Sequence, residues 1–432
     1  MHEVKNLQII FFLFFCFSAS SLQAQDTVFV RKTIDTLCSK YFAGRGYIDS
    51  GDTRAAKYIM RQFIKAGLKP GVKSQYFTQS FQMDVNTFPG KTDVILQSKT
   101  SNKTLKPGAD FIVAPNSGGG NLLNLKLFYA DSIIFSKIIN NKKVKFPKGK
   151  FALVFESDVL AKFKLKGNLP EELIKGKASA IIEIKSGRLV WSVAHENLKI
   201  PYIEVAKNAF DKNAKTFSIN IDQKLLEAYE TQNIIGKYRS PKNPDSFIVF
   251  SAHYDHLGKM GNDAMFPGAN DNAGGIAMLL DLARTYTSGK DTPKYSLLFI
   301  AFAAEEAGLI GSRYYTEVPV YPLENIKFLI NMDLMGNGQD GMMAVNGSVF
   351  TKEYEKLVSI NKKNNYLKEI KARGKAANSD HYWFTENGVH AFFFYLLGDY
   401  PYYHDIYDTA EKPTLKGYNG AFKLIRDFVK AL

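Results

Sequence analysis

Cysteine is nearly absent from this 432-residue chain, which has only Cys16 and Cys38. Cys16 falls within an apolar amino-terminal run, so a chain trimmed of that run keeps one thiol and forms no internal disulfide. A Cys-rich structural zinc site is excluded for the same reason. Cys38 sits in TIDTLCSKYF, whose helical periodicity predicts a buried thiol. Long apolar runs are missing after residues 7–17. That first run follows Lys5 and closes with small and polar residues up to Ala24, the pattern of a secretory signal peptide over residues 1–24. It is shorter than the roughly 20 apolar residues a membrane span needs. The expected product is exported, periplasmic or extracellular, with no integral membrane segment after signal removal. Gly118 to Gly120 lack a following Gly-Lys-Ser/Thr, which excludes a phosphate-binding loop. Internal repeats and nucleic-acid motifs are also missing. The net charge of +14, with lysines dense between 137 and 177, therefore reads as a solvated basic face. Attraction to acidic envelope surfaces stays open, and nucleic acid is not an expected partner.

What remains is globular: 45% hydrophobic and 23% charged residues exclude a disordered chain. DTRAAKYIMRQFIKAGLKPG carries an acidic cap, helical spacing and a Gly-Leu-Lys-Pro-Gly stop. Residues 25–110 are expected to form the amino-terminal part of a catalytic domain. APNSGGGN reads as a crossing into a β-rich insert over residues 111–225, with short strands such as GKFALVFES and ASAIIEIKS. The insert is read as a shaping module without chemistry, and its His195 as a surface or core residue. From 226 to 432, apolar strands alternate with helices. This pattern predicts an α/β fold with a mixed, mainly parallel sheet sandwiched by helices.

Chemistry concentrates at the predicted strand ends of that last segment. His253 stands in SAHYDH, Asp271 in GANDNAGG, Glu306 in FAAEEAGLIGS, Asp333 in NMDLMG and His404 in YYHDIYDT. Ligands of open α/β sheets gather at the carboxyl ends of strands. Two imidazoles and three carboxylates are a ligand set for two Zn(2+) ions sharing one carboxylate, and Asp271 is the candidate bridge. Glu305 is then free as general acid/base. Adjacent glutamates on an extended strand end would point to opposite sides, one to metal and one to water. Asp255, two residues after His253, fits the partner that fixes the imidazole tautomer. Tyr403 can donate to a developing oxyanion, with Tyr402 as rival. Ser379-Asp380-His381 suits a site lining, His256 a supporting or substrate-facing place, and His390 a strand edge.

These motifs together resemble the exported di-zinc aminopeptidases of the aminopeptidase Y family, clan MH. The resemblance is close from about 230 to 432 and looser over 26–110, through FAGRGYIDSGDTRAAKYI. The insert resembles a protease-associated domain. The resemblance implies a zinc exopeptidase fold and peptide substrates. It implies one zinc on His253 and Asp333, the other on Glu306 and His404, Asp271 bridging, Glu305 as acid/base, and a cis Asp271–Asn272 peptide. Gly274-Gly275 departs from the commoner Ser-Gly. A related family in the same clan inserts a dimerisation domain between the fourth and fifth ligands, and the short interval from Asp333 to His404 leaves little room for one. Competing readings are a carboxypeptidase or dipeptidase using Arg313 or Arg373, a one-zinc glutaminyl cyclase, and a binding protein without catalysis.

Overall fold

FIVFSAH has too many consecutive apolar residues for a strand with one wet face, and it lies inside the larger sheet, buried on both sides. The computed structural model describes residues 26–73, 75–140, 142–163, 178–289 and 292–432, so the expected signal segment lies outside the described residues. Strand Asn243–His253 runs parallel to Tyr295–Phe302 on one side and to Ile326–Met332 on the other. Ile326–Met332 is parallel in turn to Ala391–Leu397. Antiparallel strands Lys224–Tyr238 and Gly341–Val345 flank this parallel centre. The expected mixed α/β sheet is what forms.

Helices cover both faces. Gly51–Ala66 buries Ala55, Ile59 and Phe63 at four-residue spacing and ends at left-handed Gly67, as its stop signal predicts. Its apolar stripe joins those of Thr27–Leu37, Gly274–Thr287 and Tyr418–Ala431 against Phe250 and Ile330. Each such buried Ile or Phe stabilises the fold by about 1.5–3 kcal/mol. On the opposite face Ile310–Glu317 and His381–Glu386 set Tyr315 and Phe384 against Val249 and Leu298. Cys38 caps the first helix and is buried, as its periodicity predicts.

A second sheet occupies the middle of the chain and takes in a strand that precedes residue 111. Thr92–Gln97 belongs to it, paired antiparallel with Thr216–Ile221 along its whole length. The preceding strand, Thr78–Thr87, belongs to the larger sheet through Lys224–Tyr238. The alternating pattern of residues 92–97 says strand but not which sheet, because partners are chosen by long-range pairing. Gly120, the last glycine of the expected crossing, opens the strand Gly120–Tyr129. The two units share a packed seam. Trp191 stacks on Phe266 at 4.7 Å and donates Nε1 to the Val113 carbonyl at 2.8 Å.

Candidate metal centre

The sheet's parallel strands deliver the expected residues to one end. His253 is the last residue of its strand, and Asp333 follows Met332 directly. Glu305 and Glu306 lie in the turn after Tyr295–Phe302, and His404 in the loop after Ala391–Leu397. Asp271 precedes the helix Gly274–Thr287, and its peptide bond to Asn272 is cis, as the resemblance implies. Three non-glycine residues beside or within this set, Ala304, Leu334 and His404, have left-handed backbone. Such strain concentrates where side-chain placement is over-determined.

The ligand spacings suit zinc. His253 Nε2 is 3.3 Å from Asp271 Oδ1 and 3.3 Å from Asp333 Oδ1. His404 Nε2 is 3.2 Å from Asp271 Oδ2 and 3.0 Å from Glu306 Oε2. Two donors each about 2.0–2.1 Å from a tetrahedral zinc stand roughly 3.3 Å apart, so these are tetrahedron edges. Buried His253 Nε2 and Asp333 Oδ1 carry no hydrogen bond, so their lone pairs are free to point at a shared ion. The donor set therefore fits zinc, and the two oxygens of Asp271 are turned to different imidazoles.

The charges point the same way. Burial pushes the Glu305 carboxyl well above the usual range, with Glu306, Asp333 and Asp380 adding repulsion against the pull of His253. Burial likewise raises Asp333, and takes Asp380 to about 7. Burial would also raise Asp271, but the adjoining imidazoles of His253 and His404 hold it well below the usual value. Glu306 is drawn down to about 2 against its burial, chiefly by His404. His404 resists its own desolvation and stands at about 11 through Glu306 and Asp271. A crowd of carboxyl groups this dense, with protons forced onto some members, is what a dication relieves.

The residues around the donor set are placed by a turn and its contacts. The two glutamates sit in a turn, so strand alternation does not separate them, and both carboxylates come within 4.8 Å of a His253 ring nitrogen. Asp255 holds that turn: its oxygens accept the amides of Glu305 and Glu306 at 3.1 and 3.3 Å and the Tyr47 hydroxyl at 2.9 Å. His253 Nδ1 lies closer to the Asp255 carbonyl, at 3.2 Å, than to its carboxylate, at 3.8 Å. Tyr403 stacks on His404 with ring centroids 3.9 Å apart. His256 reaches Glu306 Oε1 at 2.6 Å.

Ser379 donates to Asp333 Oδ2 at 3.0 Å, the lining role its motif suggested. His381 is buried against Phe393 and lowered to about 3 by that burial, so it stays neutral. His390 stacks on Phe350 beside Glu353, a strand-edge histidine as read. Asn270 and Asn272, on either side of Asp271, bond Gly336 N and Met332 O, tying its loop to that of Asp333.

Sequence reasoning missed the insert's reach. The Trp191 carbonyl is 3.0 Å from His404 Nδ1, and the Trp191 amide donates to the His404 carbonyl at 3.0 Å. His195 bridges the carbonyls of Asp84 and Ala307, the latter next to Glu306. A lone Trp between strands gives no sequence signal for such contacts.

Residues 233–429 match the model of Peptidase family M28. The aminopeptidase YwaD of Bacillus subtilis (strain 168) is 27% identical over 274 residues, which are 62% of this chain and 54% of that protein. A probable zinc metalloprotease of Pyricularia oryzae is 34% identical over 107 residues, 24% of this chain and 21% of the relative. The chain thus spans about half the length of the first of these curated relatives and about a fifth of the second. Among solved structures, BSAP, a zinc aminopeptidase from Bacillus subtilis, superposes with a TM-score of 0.67 at 20% identity, covering 94% of this chain and 95% of that one. The aminopeptidase from Aneurinibacillus sp. strain AM-1 gives 0.65 at 20% identity, covering 94% and 93%. These likenesses establish the fold.

Proposed function

We propose that this chain, whose residues 233–429 match peptidase family M28, is an exported zinc aminopeptidase that releases amino-terminal residues from peptides. The observation that carries the reading is Asp271, with one oxygen 3.3 Å from His253 and the other 3.2 Å from His404. His253 and Asp333 would hold one zinc, Glu306 and His404 the other, and Asp271 would serve both. When bound, the pair supplies Lewis acidity, polarising the scissile carbonyl and lowering the pKa of water.

The chain's own residues do the rest. Glu305 takes a proton from the attacking water and gives it to the leaving amine. Asp255 keeps Glu305 in place through the turn amides. Burial, with Asp271 next, raises the Tyr403 phenol, which therefore keeps its proton and can donate to the oxyanion. Arg313, one of two candidates for binding a substrate carboxylate, is exposed and pairs with Glu317 at 2.8 Å, and Arg373 is the other. Export rests on the signal-like residues 1–24.

The test is zinc content alongside a panel of free-amine and amino-blocked chromogenic peptides, for wild type and Glu305→Gln. Two zinc ions in both proteins, with release only from free-amine substrates and a loss of at least about 100-fold in kcat for Glu305→Gln, is the expected result. Turnover of blocked peptides alone would replace the aminopeptidase reading, and a metal-free wild type would end it.

A further inference from the structure

Arg45 is fully buried, yet among the described residues no carboxylate accepts from it. All five of its N–H donors go to backbone carbonyls: Nε to Tyr254 at 2.9 Å, Nη1 to Leu37 at 3.3 Å and Pro267 at 2.6 Å, Nη2 to Gly268 at 2.8 Å and Asp271 at 3.2 Å. Three of those carbonyls belong to the loop that presents Asp271, and a fourth to the residue after His253. A guanidinium has a rigid five-donor fork, whereas an ammonium has three donors, so lysine cannot replace this pattern. Burying an arginine this way is costly unless every donor is used. Gly268 leaves the room: a Cβ there would lie 2.6 Å from Arg45 Nη2 and 2.2 Å from the Asp271 carbonyl.

The same loop is gripped from its other side. Buried Asp408 accepts the amide of Asn270 at 2.9 Å and that of Asp271 at 3.1 Å, while its carbonyl accepts the amide of Ala269 at 3.0 Å. Tyr400 donates its hydroxyl to the same carboxylate. Asp408 also shares a short loop with His404, so it joins two ligand-bearing segments.

We infer that Arg45 and Asp408 are positioning residues that clamp the 267–271 backbone by its carbonyls and by its amides, so that the two oxygens of Asp271 face separate metal subsites. The inference rests on the metallopeptidase reading for its consequence, but the clamp is a property of the chain itself. Arg45 lies outside residues 233–429, so the amino-terminal segment is part of the site's machinery and not a packing layer alone.

The test uses full-length Arg45→Lys, Arg45→Gln and Asp408→Asn. Folding is checked first by circular dichroism, and Arg45→Lys keeps the charge should Arg45→Gln fail to fold. Two readouts follow. In zinc-free protein, amide exchange at residues 269–271 should accelerate at least tenfold while the helix Gly274–Thr287 stays protected. In chelator competition, zinc affinity should fall about 10- to 100-fold, the usual cost of losing an outer-shell partner. kcat should drop with KM within about threefold, and Arg45→Lys should not restore it. Folded variants with wild-type exchange and wild-type zinc affinity would overturn the clamp. A wild type without zinc would sink the metallopeptidase reading, while faster exchange in the variants would still uphold the clamp.

Discussion

Glu305 and Asp271 bring the same functional group into opposite electrical circumstances, one held well above the carboxyl range and one well below it. The sequence marked both, because Glu305 follows the apolar run LLFIAFAA and Asp271 stands at the start of a readable helix. Their partners were less legible: Arg45 donates to backbone carbonyls far away in the chain, Trp191 presents its own carbonyl to the distant His404 ring, and a linear pattern does not encode such pairings. A titrating carboxyl away from the site gives a cleaner measure of burial. Asp281, on the helix Gly274–Thr287, is raised by burial from an ordinary 3.8 to about 6. The folded state thus binds a proton there more tightly than the unfolded chain does. The associated stability is full below about pH 4 and lost as pH rises through about 6. Asp281→Asn should remove a cost on the order of 2 kcal/mol at pH 7 while still accepting the Asp26 amide. Urea unfolding at pH 4, 5, 6 and 7 checks this; parallel pH profiles for variant and wild type would refute it.

At the level of elements, strands and helices of the last segment were readable from period and stop signals. The sheet to which Thr92–Gln97 belongs was not, since alternation is the same in either sheet. The turn carrying the two glutamates was also misread: left-handed Ala304 breaks the strand before them, and alanine is no sequence signal for that conformation. The Gly274-Gly275 pair at the start of its helix divides into one free and one obligatory glycine. A Cβ at Gly274 meets nothing closer than 3.5 Å, whereas one at Gly275 would lie 2.1 Å from Asn272 Oδ1 and 2.5 Å from the Met332 carbonyl. Gly274→Ala is expected to stabilise by about 0.5–1 kcal/mol through helix propensity. Gly275→Ala should destabilise by roughly 1–3 kcal/mol and loosen the Asn272 bond beside the site. Thermal unfolding of the two single variants should move in opposite directions.

For the whole molecule, the insert is not an appendage. Trp191 packs on Phe266, just before the Asp271 loop, and meets His404 with both its amide and its carbonyl. Trp191→Ala should cost roughly 3–5 kcal/mol and lower zinc content, read by urea unfolding and metal analysis. Destabilisation with full zinc occupancy would reduce the insert to packing.

The order of residues along the chain also sets a timetable. A polypeptide under synthesis carries Arg45, His253 and Asp271 well before His404 and Asp408 emerge. Until then the bridging carboxylate lacks its second imidazole and half its backbone grip. On the proposed reading, a chain interrupted before His404 lacks both the second imidazole and the Asp408 half of the grip on Asp271.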